Sequence, residues 1–104
     1  MEELAVGRIV HLVLSPQDCV EIMRRRVFGA GHSEQWPAGA QAHVGNPVIP
    51  GEHIAMVVTA VWPRDLVSGQ VLLDGNDSFW ATSRNYDELN THGTWHWIEL
   101  DKIS

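Results

Sequence analysis

The chain has 104 residues, of which 44% are hydrophobic and 19% are charged, and its formal net charge is −6. This length provides for a single domain, 1–104, and the composition is that of a folded globular protein rather than a disordered chain, a collagen or a coiled coil. Neither half of the chain is basic, so the composition disfavours binding to duplex nucleic acid through its phosphates.

The single cysteine, Cys19, cannot form an internal disulfide, and the chain has no Cys-x-x-Cys pair that would indicate a thiolate zinc site. The N-terminal residues show no basic region followed by a long apolar stretch, so no signal peptide is expected. The longest mainly apolar run, residues 54–62, is much shorter than the roughly 20 residues of a membrane-spanning helix. These features predict a cytoplasmic protein that does not enter a membrane.

The first two elements have clear patterns. Residues 7–14 are rich in β-branched and aliphatic side chains with polar interruptions, which predicts a strand that places His11 on the opposite face from its neighbours. The next residues provide an N-cap serine, a proline suited to the first helical turn, and Asp18 in the capping-box position. The pattern predicts a helix over residues 16–27, which two following glycines should end.

The rest of the chain predicts short strands and loops. The turn signals at residues 74–77 indicate a hairpin, because Asp, Gly and Asn supply the backbone conformations that tight turns require. Nearly all residues of the predicted strand 53–62 are apolar, which predicts burial of both its faces. The predicted strands are 41–44, 53–62, 70–74, 78–83 and 94–98, and the predicted loops are 32–40, 64–69 and 84–93.

One helix and about six short strands favour a mostly β fold of the α+β class. We expect a small antiparallel β-barrel, SH3-like, or a curved sheet, with the helix packed across one face or opening.

Six histidines raise the question of a metal site. His92 and His96 are four residues apart, a spacing that suits metal ligands on a helix, but His96 falls in a strand pattern. No metal site is therefore predicted. A site that depends on the fold, using His43 or His53 with Asp74 or Asp77, stays open as an alternative. The six are His11, His32, His43, His53, His92 and His96.

The motifs of common enzymes are absent from the chain. It has no Gly-x-Ser-x-Gly elbow, no phosphate loop and no dinucleotide fingerprint. Cys19 lies on the apolar stripe of the predicted helix, which is typical of an inert core thiol. The sequence therefore predicts a non-enzymatic protein without a cofactor.

Five tryptophans and a run of three arginines favour a binding function. Tryptophan rings can stack on a base, an arginine can pair with phosphate, and short polar side chains can fix orientation. This combination predicts binding of a small anionic, ring-containing, nucleotide-like ligand, with a subunit seam of a homo-oligomer as one way to form the pocket. The candidate ligand-binding residues are Arg24, Arg25, Arg26, His43, Asn46, Trp62, Asn76, Trp80, Ser83 and Trp95.

Four segments carry a resemblance to a known group. They are residues 7–11 (Gly-Arg-Ile-Val-His), 39–48 (Gly-Ala-Gln-Ala-His-Val-Gly-Asn-Pro-Val), 69–77 (Gly-Gln-Val-Leu-Leu-Asp-Gly-Asn-Asp) and 93–97 (Gly-Thr-Trp-His-Trp). Together they resemble a group of small uncharacterised proteins encoded by bacteriophages and prophages. The resemblance covers most of the chain and implies a viral origin and a location in the host bacterial cytoplasm. It implies no activity and no site residues.

A phage origin gives the predicted binding function a context. One hypothesis is that the protein sequesters a nucleotide-derived signal of host antiviral defence. The net negative charge supports an alternative, an inhibitor that binds a host protein directly by imitating nucleic acid. A minor virion or assembly component is the third possibility.

Overall fold

The computed structural model describes residues 3–31 and 44–98, which form an α+β fold. The strands build one antiparallel sheet in the order β4-β3-β2-β1-β5. Along the chain the elements are β1 (Ile9–Val13), α1 (Pro16–Gly31), β2 (His53–Trp62), β3 (Leu66–Leu72), β4 (Ser78–Arg84) and β5 (Trp95–His96).

The core lies on one face of the sheet, between the sheet and α1. Successive residues of a strand point to opposite faces, and Val10 and Leu12 of β1 accordingly point into the core with no exposed surface. Cys19 and Ile22 bring the helix to the same core. Its buried members are Val10, Leu12, Leu14, Cys19, Ile22, Met56, Val58, Val67, Val71, Leu73, Phe79, Ala81 and Trp95.

The sheet is curved but not closed. Tyr86, just after β4, forms an isolated parallel bridge with Trp95 of β5, although β4 and β5 are the two edges of the sheet. This contact requires the sheet to curl. The described strands do not close into a barrel, and they number five rather than about six. The antiparallel sheet with one helix is confirmed, and an SH3-like arrangement stays a prediction.

Two element boundaries differ from the sequence-based prediction by four residues, and the other strand ends differ by at most two. Helix α1 continues to Gly31 instead of ending near residue 27, because a helical glycine costs only about 1 kcal/mol relative to alanine. Strand β3 begins at Leu66, inside the predicted loop 64–69. The chain reverses within three residues because Arg64 and Asp65 both adopt positive φ, at 67° and 58°. Neither residue carries the glycine signal that would predict such a turn.

Strand β2 has its predicted bounds, but only one of its faces is buried. Met56 and Val58 have no exposed surface, whereas His53 and Trp62 are exposed. The prediction of burial on both faces is therefore wrong, since among the described residues the helix contributes its core side chains to one face only. The predicted strand 41–44 lies outside the described residues apart from Val44, which is not in a strand.

The first turn of α1 is fixed to the end of β4. Ser15 and Asp18 form the predicted capping box, with each backbone N–H donating to the other side chain at 3.0 Å. Asp18 also accepts two hydrogen bonds from Arg84, at 2.7 and 3.0 Å. Burial alone raises the pKa of Asp18, but the hydrogen bonds from Arg84 and Ser15 outweigh that effect and lower it.

The second half of α1 is fixed to the turn between β3 and β4. Arg26 donates to both carboxylate oxygens of Asp77, at 3.0 and 3.1 Å, and to the carbonyl of Asn46 at 2.7 Å. Both side chains of the pair are almost fully buried. Gly45 and Gly75 allow this close approach, because a Cβ on Gly45 would meet Arg26 Nη2 at 2.3 Å and one on Gly75 would meet the Val44 carbonyl at 2.4 Å.

Strand β4 contains a β-bulge near its end. The pairing with β3 shifts by one residue between Ala81 and Arg84, and Ser83 within this stretch has a φ of 51°. The backbone N–H of Ser83 donates to the hydroxyl of Ser68 on β3 at 2.9 Å. The bulge bends the strand and directs Arg84 towards α1.

Among the described residues, no helix is both long and apolar enough to cross a membrane.

The Arg26–Asp77 pair should contribute strongly to stability. We expect Arg26→Ala to lower the free energy of unfolding by about 3–5 kcal/mol, because it leaves a buried carboxylate without its counter-charge. The control is Arg24→Ala, which removes the exposed pair with Glu21 and should cost at most about 1 kcal/mol. Urea denaturation measures both. Equal losses in the two variants would contradict the role assigned to Arg26.

Asp18 should make the protein sensitive to acid. Its pKa is lower in the folded than in the unfolded chain, so its contribution to stability is present above the unfolded pKa and is lost as pH falls through the folded pKa. In urea denaturation series from pH 6 to pH 2.5, Asp18→Asn should show a shallower loss of stability than the wild type below about pH 4. Glu21→Gln, on the same helix, is the control and should keep the wild-type slope. An unchanged slope in Asp18→Asn would contradict the prediction.

Candidate metal centre

Three histidines meet on the face of the sheet opposite the core. His11 on β1 is paired with His96 on β5, so these two side chains are direct cross-strand neighbours. His53 on β2 is paired with Val13, two residues after His11 on the same face of β1. The order β2-β1-β5 therefore places one histidine on each of three adjacent strands. We call His11, His53 and His96 the histidine triad.

The imidazole rings of the triad are close together, with interplanar angles of 66–89°. The ring centroids of His53 and His96 are 4.8 Å apart, those of His11 and His96 5.7 Å, and those of His11 and His53 6.4 Å. One ring nitrogen from each residue lies within 4.8 Å of the others. His96 is buried, His11 is half-buried and His53 is exposed, so the triad extends from the protein interior to the surface.

The donor set suits a transition metal ion. Neutral imidazole nitrogen is a preferred ligand of zinc, copper, nickel and iron, whereas calcium and magnesium require oxygen. In a tetrahedral zinc site with Zn–N bonds of about 2.0–2.1 Å, ligand nitrogens are about 3.4 Å apart. The triad comes within this range when its most distant nitrogens approach by about 1.4 Å, which side-chain rotation can supply.

His96 also lines a cavity of about 340 Å³ together with Tyr86, Glu88 and Trp97. The Tyr86 hydroxyl donates to the Glu88 carboxylate at 2.5 Å. This hydrogen bond is the main cause that raises the pKa of Tyr86 to about 12. The cavity wall thus combines the His96 side with a carboxylate that accepts a hydrogen bond from Tyr86.

The three consecutive arginines do not converge on one ligand. Arg24 is exposed and paired with a glutamate one turn earlier on α1. The guanidinium carbon of Arg25 lies 5.7 Å from the ring centroid of Phe79. Arg26 is buried, and its charge is already balanced by Asp77. Arg26 therefore has a structural role in the fold, and its binding of phosphate stays a prediction.

The predicted polar ligands hold two loops together. Asn46 donates to the Asp74 carboxylate at 2.7 Å, and the side-chain oxygen of Asn76 accepts from the Val44 N–H at 2.8 Å. His43 lies outside the described residues. These contacts occupy part of the hydrogen-bonding capacity that a ligand would need.

The remaining predicted residues are dispersed. Trp62 and Trp80 are 44% and 59% exposed, on β2 and β4. Trp95 is 1% exposed, and its Nε1–H donates to a backbone carbonyl of the β2–β3 turn at 2.8 Å. This burial does not favour stacking of a ligand on Trp95, and its binding role stays a prediction. Ser83 belongs to the β-bulge of β4.

Trp80 and Arg84 both line a groove of about 420 Å³ between α1 and β4. Trp80 and Phe79 form its aromatic part, but Asp18 and Glu21 also line it, and the charge of Arg84 is balanced by Asp18. Carboxylates in the groove disfavour an anionic ligand. Binding of a nucleotide-like molecule stays a prediction, and this geometry does not favour it.

The triad was missed because its members are remote in sequence. The alternation of β1 and β5 predicted that His11 and His96 face away from apolar neighbours, which was the available signal. The pairing of β1 with both β2 and β5 could not be predicted from the sequence. The alternative site of His53 with Asp74 or Asp77 is not the cluster observed, since His53 joins the triad and Asp77 binds Arg26.

A comparison of the chain with protein-family models, curated proteins and solved structures finds no match.

Proposed function

We propose that this protein binds a divalent transition metal ion, with zinc as the best fit, through His11, His53 and His96. The observation that carries the proposal is the convergence of three imidazoles from adjacent strands, with one nitrogen of each within 4.8 Å of the others. Histidine is the most common metal ligand among side chains, and three such donors match the ligand number of catalytic zinc sites.

The position of the triad on the sheet favours a metal site over simple packing. Residues that only fill a core are apolar, and the core on the other face of β1 contains no histidine. The triad instead places polar aromatic rings on the face that also carries Val13, which is 1% exposed.

The supporting strands make the ligands well ordered. His11 and His53 lie within the hydrogen-bonded ladder of β1 and β2, and His96 pairs directly with His11. Ligands on paired strands are held more firmly than ligands on loops, which lowers the entropic cost of binding an ion. The net charge of −6 also favours the approach of a cation.

Zinc binding is the first test. Isothermal titration of the metal-free protein with zinc should show one ion bound per chain. His53→Ala should weaken the affinity at least tenfold, which corresponds to about 1.4 kcal/mol. His53 is the best position to change, because it is exposed and its loss should leave the fold intact. His92→Ala, which removes an exposed histidine outside the triad, is the matched control and should bind zinc like the wild type.

Thermal unfolding provides a second readout of the same prediction. Zinc at 100 times its Kd should stabilise the fold by about 2.7 kcal/mol. For a domain of this size the melting temperature should rise by on the order of 10 °C, and a chelator should reverse the rise. Absence of zinc uptake by the wild type, or an equal loss in His53→Ala and His92→Ala, would overturn the proposal.

A further inference from the structure

The cavity of about 340 Å³ beside β5 has two aromatic walls, Tyr86 and Trp97. Both rings pack against the ring of Trp95, with centroid distances of 4.9 and 5.4 Å and interplanar angles of 64° and 85°. Trp95 is 1% exposed, and its Nε1–H donates to the Asp65 carbonyl at 2.8 Å. Because the position of Trp95 is fixed in this way, the core also positions the two aromatic walls.

The backbone of the segment that carries Tyr86 and Glu88 is held against Trp95. The Asp87 N–H donates to the Trp95 carbonyl at 3.0 Å, and the Trp95 N–H donates to the Asn85 carbonyl at 2.9 Å. The side chain of Glu88 completes this side of the cavity. The walls are therefore in place before a ligand binds, which lowers the entropic cost of binding.

The charge on the cavity wall is negative. Glu88 lines the cavity, and its carboxylate accepts a hydrogen bond from the Tyr86 hydroxyl at 2.5 Å. This hydrogen bond is the largest of the causes that raise the pKa of Tyr86, followed by burial and by the charge of Glu88. The charges of Asp65 and Asp87 raise this pKa further. Three carboxylates therefore act on one wall of the cavity, and a cation is the ligand that this charge favours.

We propose that this cavity binds a small soluble molecule with a trimethylammonium group, such as choline. A quaternary ammonium ion has no N–H to donate, so it is recognised by aromatic rings and negative charge instead of directed hydrogen bonds. Tyr86, Trp97 and Glu88 supply both features. The volume of about 340 Å³ falls within the range of small-molecule sites, roughly 300–1,000 Å³. His96 also lines the cavity, but binding of the ammonium group requires no metal ion.

The carboxylates around Tyr86 select against a ligand in which a phosphate adjoins the cation. Phosphorylcholine and the headgroup of phosphatidylcholine carry the same trimethylammonium group, but their phosphate would be repelled by Glu88 and its acidic neighbours. The preferred ligand is therefore the free alcohol rather than its phosphate ester or a membrane lipid.

The test is isothermal titration of the full chain, freed of metal by a chelator, with choline. The ligand control is 3,3-dimethyl-1-butanol, in which a carbon replaces the nitrogen and the shape is kept. Choline should bind about tenfold more tightly than this neutral isostere, because cation–π attraction and the carboxylates act only on the cation. Phosphorylcholine and vesicles of phosphatidylcholine should bind more weakly than choline.

Two pairs of variants locate the site. Glu88→Gln keeps an acceptor for Tyr86, removes the charge and should weaken choline binding by about fivefold. Its control is Glu52→Gln, an exposed acid outside the cavity that also accepts a hydrogen bond. Trp97→Leu should weaken choline binding by on the order of tenfold, and Trp97→Phe should restore most of it. Trp80→Leu, which removes an exposed ring outside the cavity, should bind like the wild type.

The outcomes are decisive in both directions. Absence of choline binding, or equal affinity for choline and its neutral isostere, overturns the proposal. An equal loss in Trp97→Leu and Trp80→Leu also overturns it, because the ligand then lies elsewhere. Tighter binding of phosphorylcholine or of the vesicles overturns the choice of an unphosphorylated ligand. If Trp97→Leu fails to fold, the exposed Glu88 decides. Zinc binding is measured separately, so failure of either site leaves the other standing.

Discussion

The alternation of side chains along β1 is the constraint on which both the core and the candidate site depend. Val10 and Leu12 point into the core with no exposed surface, while His11 and Val13 lie on the other face. A shift of one residue in the pairing of β1 would exchange these faces, placing histidine in the core and leucine outside. The hydrophobic core therefore fixes the register, and the register places His11 opposite His96. Burial on one face of this strand determines the chemistry on the other.

The residues that stabilise the fold and the residues of the candidate metal site lie on opposite faces of the sheet. Helix α1 is held at its first turn by Arg84 and in its second half by Asp77, and both partners belong to the β3–β4 hairpin or the end of β4. These buried pairs, with the shared core, keep the helix on one side of the sheet. The opposite face carries the half-buried His11 and the exposed His53, so these polar side chains lie outside the core.

Local patterns were sufficient for the elements whose signals lie within a few residues. The capping box of Ser15 and Asp18, the full length of β2 and the hairpin turn at 74–77 all follow from short-range chemistry. The start of β3 was not predictable, because Arg64 and Asp65 adopt positive φ under tertiary constraint rather than by their own preference. The same holds for the pairing of the two sheet edges at Tyr86 and Trp95.

The candidate site required information that no local pattern contains. Orientation was predictable for His11 and His96, since each alternates with apolar residues, but their meeting depends on long-range pairing of β1 with β5. For Arg26 the local pattern also lacked the decisive information, because its partner is remote in sequence. Its position in a basic run predicted an exposed phosphate ligand, and its true environment is set by Asp77, which lies far along the chain and is brought near by the close approach at Gly45 and Gly75.

The bulge in β4 has a consequence for how copies of the protein meet. An edge strand normally presents a flat row of backbone N–H and carbonyl groups to which a second chain can add a strand. In β4 the extra residue and the left-handed backbone of Ser83 interrupt that row, and its N–H is already directed inward to Ser68. Towards its end the strand is thus a poor template for a neighbouring chain, which protects the protein against aggregation through this edge.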